Sequence, residues 1–520
     1  MATLARLSIV EMYLSAAWTD VSADVILSRT ASYGIQGGGP NDRTAPTGTF
    51  KATLNNSDSN SAGLSGYYSP GHVNCRTGFD MNVPIRWRIP TSGTGGFYSG
   101  AFDADAFAIG VSARTWFTGN IQSINPTVGQ YAEQRTVIEA VDWIDIAAQV
   151  ATSATLQLSK RTDQILTAVL DAMTTQPTAR SILTGNSTFT YALDNVQDEK
   201  TKVLQVIASL MASEGGFFYV RGDGTAVCEN RLYRAALASS LTLTDTMQGL
   251  EVSRSRADVF NRFFVTAHPR RIDAAATTVL YSLDTEPKLD IGQTITMIGP
   301  YGDPLNANKR CGGTEMVTPV STTDYTMNAA ADGSGADLTA FLTVVASFTG
   351  NGVHWTLTNS GSVLGYITKL QARGKGIYDF QPVTMTAQDA ASIAAYSEQP
   401  TTIDMPYQDD LYVASGFAEF LLNLYESPTA RAQKIRLMPE SSDTLKNAAL
   451  NFDLGTRISV LETQTGINTD FFVQGVTFSI NDDAVSNLEW VLAPADMASY
   501  WQLGTANASE LGNTTRLGFA

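Results

Sequence analysis

Three histidines, His72, His268 and His354, are the only imidazoles in 520 residues. A His-based metal centre or a Ser-His-Asp relay would have to assemble them from three distant segments, so solvated or core histidines are expected instead. Cys75, Cys228 and Cys311 are odd in number and form no CxxC pair. That argues against a disulfide framework or a zinc knuckle and predicts buried free thiols. Carboxylate pairs do occur, at Asp103 with Asp105, Asp142 with Asp145 and Asp409 with Asp410. Two acids flanking one sugar bond are what a glycosidase requires, but 50 acidic side chains produce such pairs as ordinary surface groups. Asp332-Gly-Ser-Gly-Ala-Asp337 sets oxygen ligands around a glycine turn, as calcium loops do. Its flanks are not helical and no bidentate Glu closes it, so it reads as a polar loop. Gly37-Gly-Gly39 lacks the spacing and the following helix of a nucleotide loop. Trp18, Trp87, Trp116, Trp143, Trp355, Trp490 and Trp501 could serve as sugar platforms, although most lie in runs where tryptophan ordinarily packs a core. No catalytic, cofactor-binding or metal-ligating set emerges. The expectation is a protein without enzymatic activity or cofactor, whose function lies in the shape it builds.

The chain is long enough for three or four domains. Hydrophobic residues make up 43%, charged residues 16%, and there are 42 glycines, a composition suited to turn-rich β domains. The net charge of −16 disfavours static binding to nucleic acid or to an anionic membrane. The same acidity would suit the wall of a channel through which DNA must slide. Met1–Val10 lacks the pattern of a secretory signal, and no stretch approaches a membrane span, so synthesis and folding in a cytoplasm are expected.

Apolar residues alternate through Ile458 and Val460 and again through Phe472, Val476, Phe478 and Ile480, interrupted at Gln474, which predicts an antiparallel hairpin. Asp24–Leu27, Gly48–Leu54, Val83–Ile89, Thr115–Ile121 and Arg135–Val141 read as strands cut by turn clusters. From Asp163 to Met211 the period becomes helical, with Ile165, Leu166, Val169 and Leu170 on one face and Val203, Leu204, Ile207 and Leu210 on another. Asp198-Glu-Lys-Thr201 gives the second helix an acidic start. Gly216–Val220 and Thr225–Glu229 form a hairpin about Gly222-Asp-Gly224, which makes Arg221-Gly-Asp223 a turn rather than an adhesion motif. Val259–Ala267 and Gln293–Ile298 read as strands of a second β unit. It is interrupted by a Gly- and Thr-rich segment containing strands at Leu342–Phe348, Val353–Leu357 and Leu364–Gln371. Leu411, Ala414, Ala418, Leu421 and Tyr425 mark a helix stopped by Pro428, followed by a strand at Ile435–Met438.

The order of these segments resembles the minor tail proteins of long-tailed bacteriophages, in particular the baseplate hub or tail-associated protein family. The resemblance is carried by Trp18-Thr-Asp-Val-Ser-Ala-Asp-Val25, Arg43-Thr-Ala-Pro-Thr-Gly-Thr-Phe50 and the Tyr68-Ser-Pro-Gly71 turn. Trp116-Phe-Thr-Gly-Asn-Ile121 with Val141-Asp-Trp-Ile144, Glu214–Gly224, Leu454–Val460 and Phe472–Val476 follow the same plan. The resemblance implies a structural virion protein, a trimeric hub at the tail tip that adapts a sixfold tube to threefold symmetry and forms or gates the DNA exit channel. It implies a homotrimer, with the distal tail or tail tube protein, the tape measure protein and a central fibre or other tip protein as neighbours. DNA would pass through transiently, without specific binding.

A mainly β fold with α+β insertions is therefore expected, comprising two tube-forming β-barrels, a small α+β domain and a β-sandwich-like insertion. The expected divisions are 1–155 for the first barrel, 156–250 for the α+β domain, 251–323 with 380–496 for the second barrel, 324–379 for the insertion and 497–520 for a tail. Candidate tube-forming strands are those around Val25, Phe50, Ile138, Phe264, Ile295, Ile458 and Val476. A carbohydrate-binding receptor protein is the rival reading, with Asp332, Asp337 and Trp355 as contacts in the insertion. A glycan hydrolase is a third.

Overall fold

The computed structural model describes residues 4–26, 28–90, 113–127, 133–152, 154–193, 201–427, 431–481 and 483–495, with short strands at Ser499–Tyr500 and Thr515–Arg516. Asp103, Asp105, Asp198, Pro428, Trp501 and the rest of the expected tail lie outside the described residues. The protein is mainly β, with several sheets and a few helices.

Its largest element is a 13-stranded sheet joining the two ends of the sequence. The N-terminal contribution comprises Ile9–Leu14, Ala17–Asp20, Arg29–Gly34, Thr49–Asn55, Pro84–Pro90, Ala113–Thr127 and Arg135–Val141. The C-terminal contribution comprises Thr242–Leu243, Gly249–Ser253, Arg431–Leu437, Arg457–Glu462, Ile467–Ile480 and Ser486–Pro494. The two arrays meet where Arg29–Gly34 pairs antiparallel with Ile467–Ile480, in a register that sets Arg29 against Ile480 and Gly34 against Gly475. Gly34 has φ +88°, and a Cβ there would lie 2.6 Å from the Gln474 carbonyl oxygen, so only glycine suits this point of the seam.

The sheet is strongly rolled. Trp116 and Phe478 lie on strands four steps apart in the hydrogen-bonding order, which in a flat sheet is about 19 Å at the usual strand spacing. Their rings stack with centroids 3.9 Å apart. Trp87, one strand further on, also contacts Phe478 (5.1 Å) and Phe50 (5.6 Å). All these rings are buried, and the alternating burial of Pro84–Pro90 and Arg135–Val141 supplies the inward face. The ladder nonetheless remains open, ending at Ala17–Asp20 and Gly249–Ser253, so the expected barrels appear as one rolled sheet without a closing ladder among the described residues.

Between the arrays sits an α+β unit. Helices Thr162–Asp171 and Val203–Glu214 bury Ile165, Leu166, Val169, Leu170, Val206, Ile207 and Leu210. The hairpin Phe217–Val220 with Thr225–Glu229 turns through Gly224 (φ +81°), confirming Arg221-Gly-Asp223 as a turn. A second unit has strand Arg262–Ala267 between Val383–Gln388 and Pro400–Met405, covered by helix Leu411–Tyr425. Its core includes Phe263, Val265, Met405, Phe417 and Leu421. The third has the long strand Gly365–Asp379 as its spine and a three-stranded sheet of Thr294–Pro300, Gly352–Asn359 and Leu342–Phe348. Both sheets feed a core running from Leu280 through Trp355 to Ala372.

Two local expectations are corrected. Asp24–Ile26 form no strand, and Leu27 lies outside the described residues. Ser22–Asp24 is a 3-10 turn, because the buried Asp24 carboxylate accepts hydrogen bonds from Ser61 and Tyr68, and Val25 keeps a single bridge to Leu54. Residues 143–149, where only an Asp-Trp pair stood out, form a helix capped by Asp142.

The seam predicts a cross-link. Ser32 and Thr477 are register partners with side-chain oxygens 2.9 Å apart. Ser32→Cys with Thr477→Cys should form an intramolecular disulfide, shifting mobility on non-reducing electrophoresis. Failure to oxidise in the folded protein would contradict the register.

Candidate functional site

The seam and the groups that clamp it form the candidate site. Of the expected tube-forming positions, Phe50, Ile138, Ile458 and Val476 are brought into the one large sheet, all buried, with Val25 bridged to it. Phe264 and Ile295 are not. Phe264 pairs with Thr386 and Thr402, and Ile295 pairs with Leu357, each in a separate sheet. Both runs alternate as the sequence suggests, but alternation identifies a strand without identifying its neighbour.

Polar clamps hold the arrays and the α+β unit together. Arg114 Nη2 lies 3.0 Å from Asp453 Oδ1, and the Tyr33 hydroxyl accepts from Arg114 (2.9 Å) and donates to Asp453 (3.1 Å). Burial and the neighbouring Asp453 push the Tyr33 phenol well above its usual range. A second clamp forms at Gln474, the residue that interrupts apolar alternation. A β-bulge between Val473 and Gly475 lets this side chain be buried, and Arg234 Nη1 donates to its Oε1 (2.7 Å). Arg234 Nε also donates to Glu229 Oε2 (2.6 Å), Tyr219 donates to Glu229 Oε1 (2.6 Å), and the guanidinium lies 3.6 Å from the Phe217 ring centre. Removing one partner of such a buried pair costs about 3–5 kcal/mol.

Arg43 makes a third clamp. Its Nη1 donates to the Gly215 carbonyl (2.5 Å), and its guanidinium faces Phe217 (5.0 Å) and Phe417 (4.7 Å). Burial lowers its pKa to about 10, so it remains a cation at neutral pH. The Tyr425 hydroxyl donates to the Gly38 carbonyl (2.8 Å), tying helix Leu411–Tyr425 to the N-terminal array.

The positions singled out for chemistry do not gather. Asp332 Oδ1 accepts from Ser334 N (2.9 Å) and Asp337 Oδ1 from Thr339 N (2.9 Å), so both exposed carboxylates shape their own turns. Trp355 is buried in the core of its unit, and its indole presents no surface to a receptor. His268 Nε2 lies 2.6 Å from Asp404, His72 sits in the loop before Cys75, and His354 is exposed on the sheet Thr294–Pro300/Gly352–Asn359/Leu342–Phe348. Asp409 accepts from Thr190, and Asp410 caps helix Leu411–Tyr425. No cluster of three His, Cys, Asp or Glu suited to a metal occurs among the described residues. No described helix is long and apolar enough to cross a membrane.

No protein-family model matches the chain, and no curated protein matches it. Several solved structures are similar over nearly its whole length. The prophage MuSo2 43 kDa tail protein from Shewanella oneidensis has TM-score 0.48 and 9% identity, covering 94% of this chain and 97% of that one. The tail protein from Neisseria meningitidis MC58 has TM-score 0.47 and 9% identity, with 93% and 96% covered. The prophage tail protein gp18 from Listeria monocytogenes EGD-e has TM-score 0.42 and 7% identity, with 94% and 95% covered.

Asp142 is the perturbed carboxylate beside the seam. Its Oδ1 accepts from Ile144 N (3.0 Å), while Oδ2 is buried against the Gly48 backbone. Burial raises its pKa to about 7. A folded value above the unfolded one favours stability at acidic pH, and that contribution is lost as pH rises through about 7. Asp142→Asn keeps an acceptor for Ile144 N and cannot ionise. It should therefore gain stability relative to wild type between pH 5 and pH 8, by on the order of 1–4 kcal/mol in denaturant titrations. A difference independent of pH would contradict the assignment.

Proposed function

We propose that the chain is a structural component of a phage tail and acts as a ring-forming hub at the tail tip. The observation that carries this reading is the rolled sheet, built from two side-by-side strand arrays, with strands Ala17–Asp20 and Gly249–Ser253 at its two ends. Two different edges on one subunit favour head-to-tail pairing, which closes into a ring when the rotation per subunit divides a full turn. With two arrays per subunit, three subunits would present six arrays, so a threefold ring could match a sixfold tube. The net charge of −16 per subunit suits a conduit from which phosphates are repelled. The clamps suit a rigid part, because Arg114 fixes the two arrays to each other while Arg43 and Arg234 fix the intervening unit to them. In this reading the protein is no enzyme and needs no cofactor. Its neighbours are a distal tail or tube protein, the tape measure protein and a central fibre or other tip protein, and DNA crosses its axis without specific binding.

The mass of the assembled protein tests the proposal. Native mass spectrometry, or mass photometry at micromolar concentration, should find a species of three 55.7 kDa chains, alone or as the repeating unit of the purified tail tip. A subunit number unrelated to three would overturn the ring.

A further inference from the structure

A cavity of about 360 Å³ opens between the Ala17–Asp20 edge, strand Ala113–Thr127 and the helix Trp143–Gln149. Its volume falls within the roughly 300–1,000 Å³ of small-molecule sites. The side chains lining it share one chemistry. Trp18 and Trp143 supply aromatic surface. Trp18 is 37% exposed and held by the Arg86 guanidinium 4.2 Å from its ring centre and by the edge of Tyr13.

Carboxamides supply paired donors and acceptors. Asn120 Nδ2 donates to Asn82 Oδ1 (3.2 Å), a bond that leaves the Asn82 amide nitrogen and the Asn120 amide oxygen for a ligand, and Gln122 is exposed beside them. No lysine or arginine is among the described lining residues, and Arg86 beside Trp18 is paired with Glu11 (2.7 Å).

We propose that this cavity binds a neutral pyranose unit of a glycan, stacking its C–H face on Trp18 and sharing its hydroxyls among Asn82, Asn120 and Gln122. The inference goes beyond the ring-forming role and does not rest on it. It also differs from a lectin-like site in the Gly- and Thr-rich insertion, because Trp355 there is buried.

The test uses the full chain with chitobiose, maltose and lactose as probes, followed by saturation-transfer NMR and calorimetric titration. At least one disaccharide should bind with a dissociation constant of about 1 mM or tighter. Trp18→Ala and Gln122→Ala should each weaken that binding tenfold or more, and Asp332→Ala, in the remote loop, should leave it unchanged. Gln122 is exposed, so its variant carries the test if Trp18→Ala disturbs folding. The proposal is overturned if no probe binds up to about 10 mM. Binding that survives both cavity substitutions, or falls equally in Asp332→Ala, overturns it too.

Discussion

The structure depends on one strand pairing, Arg29–Gly34 against Ile467–Ile480, between segments more than 430 residues apart. Without it the N-terminal and C-terminal arrays would be separate sheets with exposed inner edges, a template for unwanted pairing. With it they share one core, in which Phe478 from the C-terminal array packs against Trp87 and Trp116 from the N-terminal one. Buried aromatic pairs contribute about 0.5–1.5 kcal/mol each beyond their area. The larger effect here is geometric, because such contacts exist only when the sheet is rolled.

The clamps follow from the same pairing. Seating Ile467–Ile480 beside Arg29–Gly34 places the Gln474 bulge over the α+β unit, where it meets Arg234 and, through it, Glu229 and Tyr219. Buried ionic groups add little net stability, because desolvation offsets their attraction. Here they fix the orientation of the intervening unit, while the hydrophobic core supplies most of the cohesion.

Local order was largely legible in the sequence. The hairpin Arg457–Glu462 with Ile467–Ile480, the helices at 162–171, 203–214 and 411–425, and the turn at Gly224 all follow from periodicity and glycine placement. The lapse at Gln474 was visible as a break in alternation, and the structure shows it to be a bulge with a buried polar partner. Sheet membership was not legible. Phe264 and Ile295 sit in alternating runs as good as those of Ile458 and Val476, yet they pair elsewhere, because long-range pairing is decided by which cores their inward faces join. The cavity beside Trp18 was equally hidden, since its walls come from strands, a helix and loops scattered between residues 18 and 224.

Native-state hydrogen exchange across the seam tests this account most directly. If the two arrays are one cooperative sheet, the hydrogen-bonded amides of Arg29–Gly34 and Ile467–Ile480 exchange at the same slow rate, set by unfolding of the whole. Amides of Arg29–Gly34 that exchange orders of magnitude faster than those of Ile467–Ile480, or that open independently of them under mild denaturant, would contradict it.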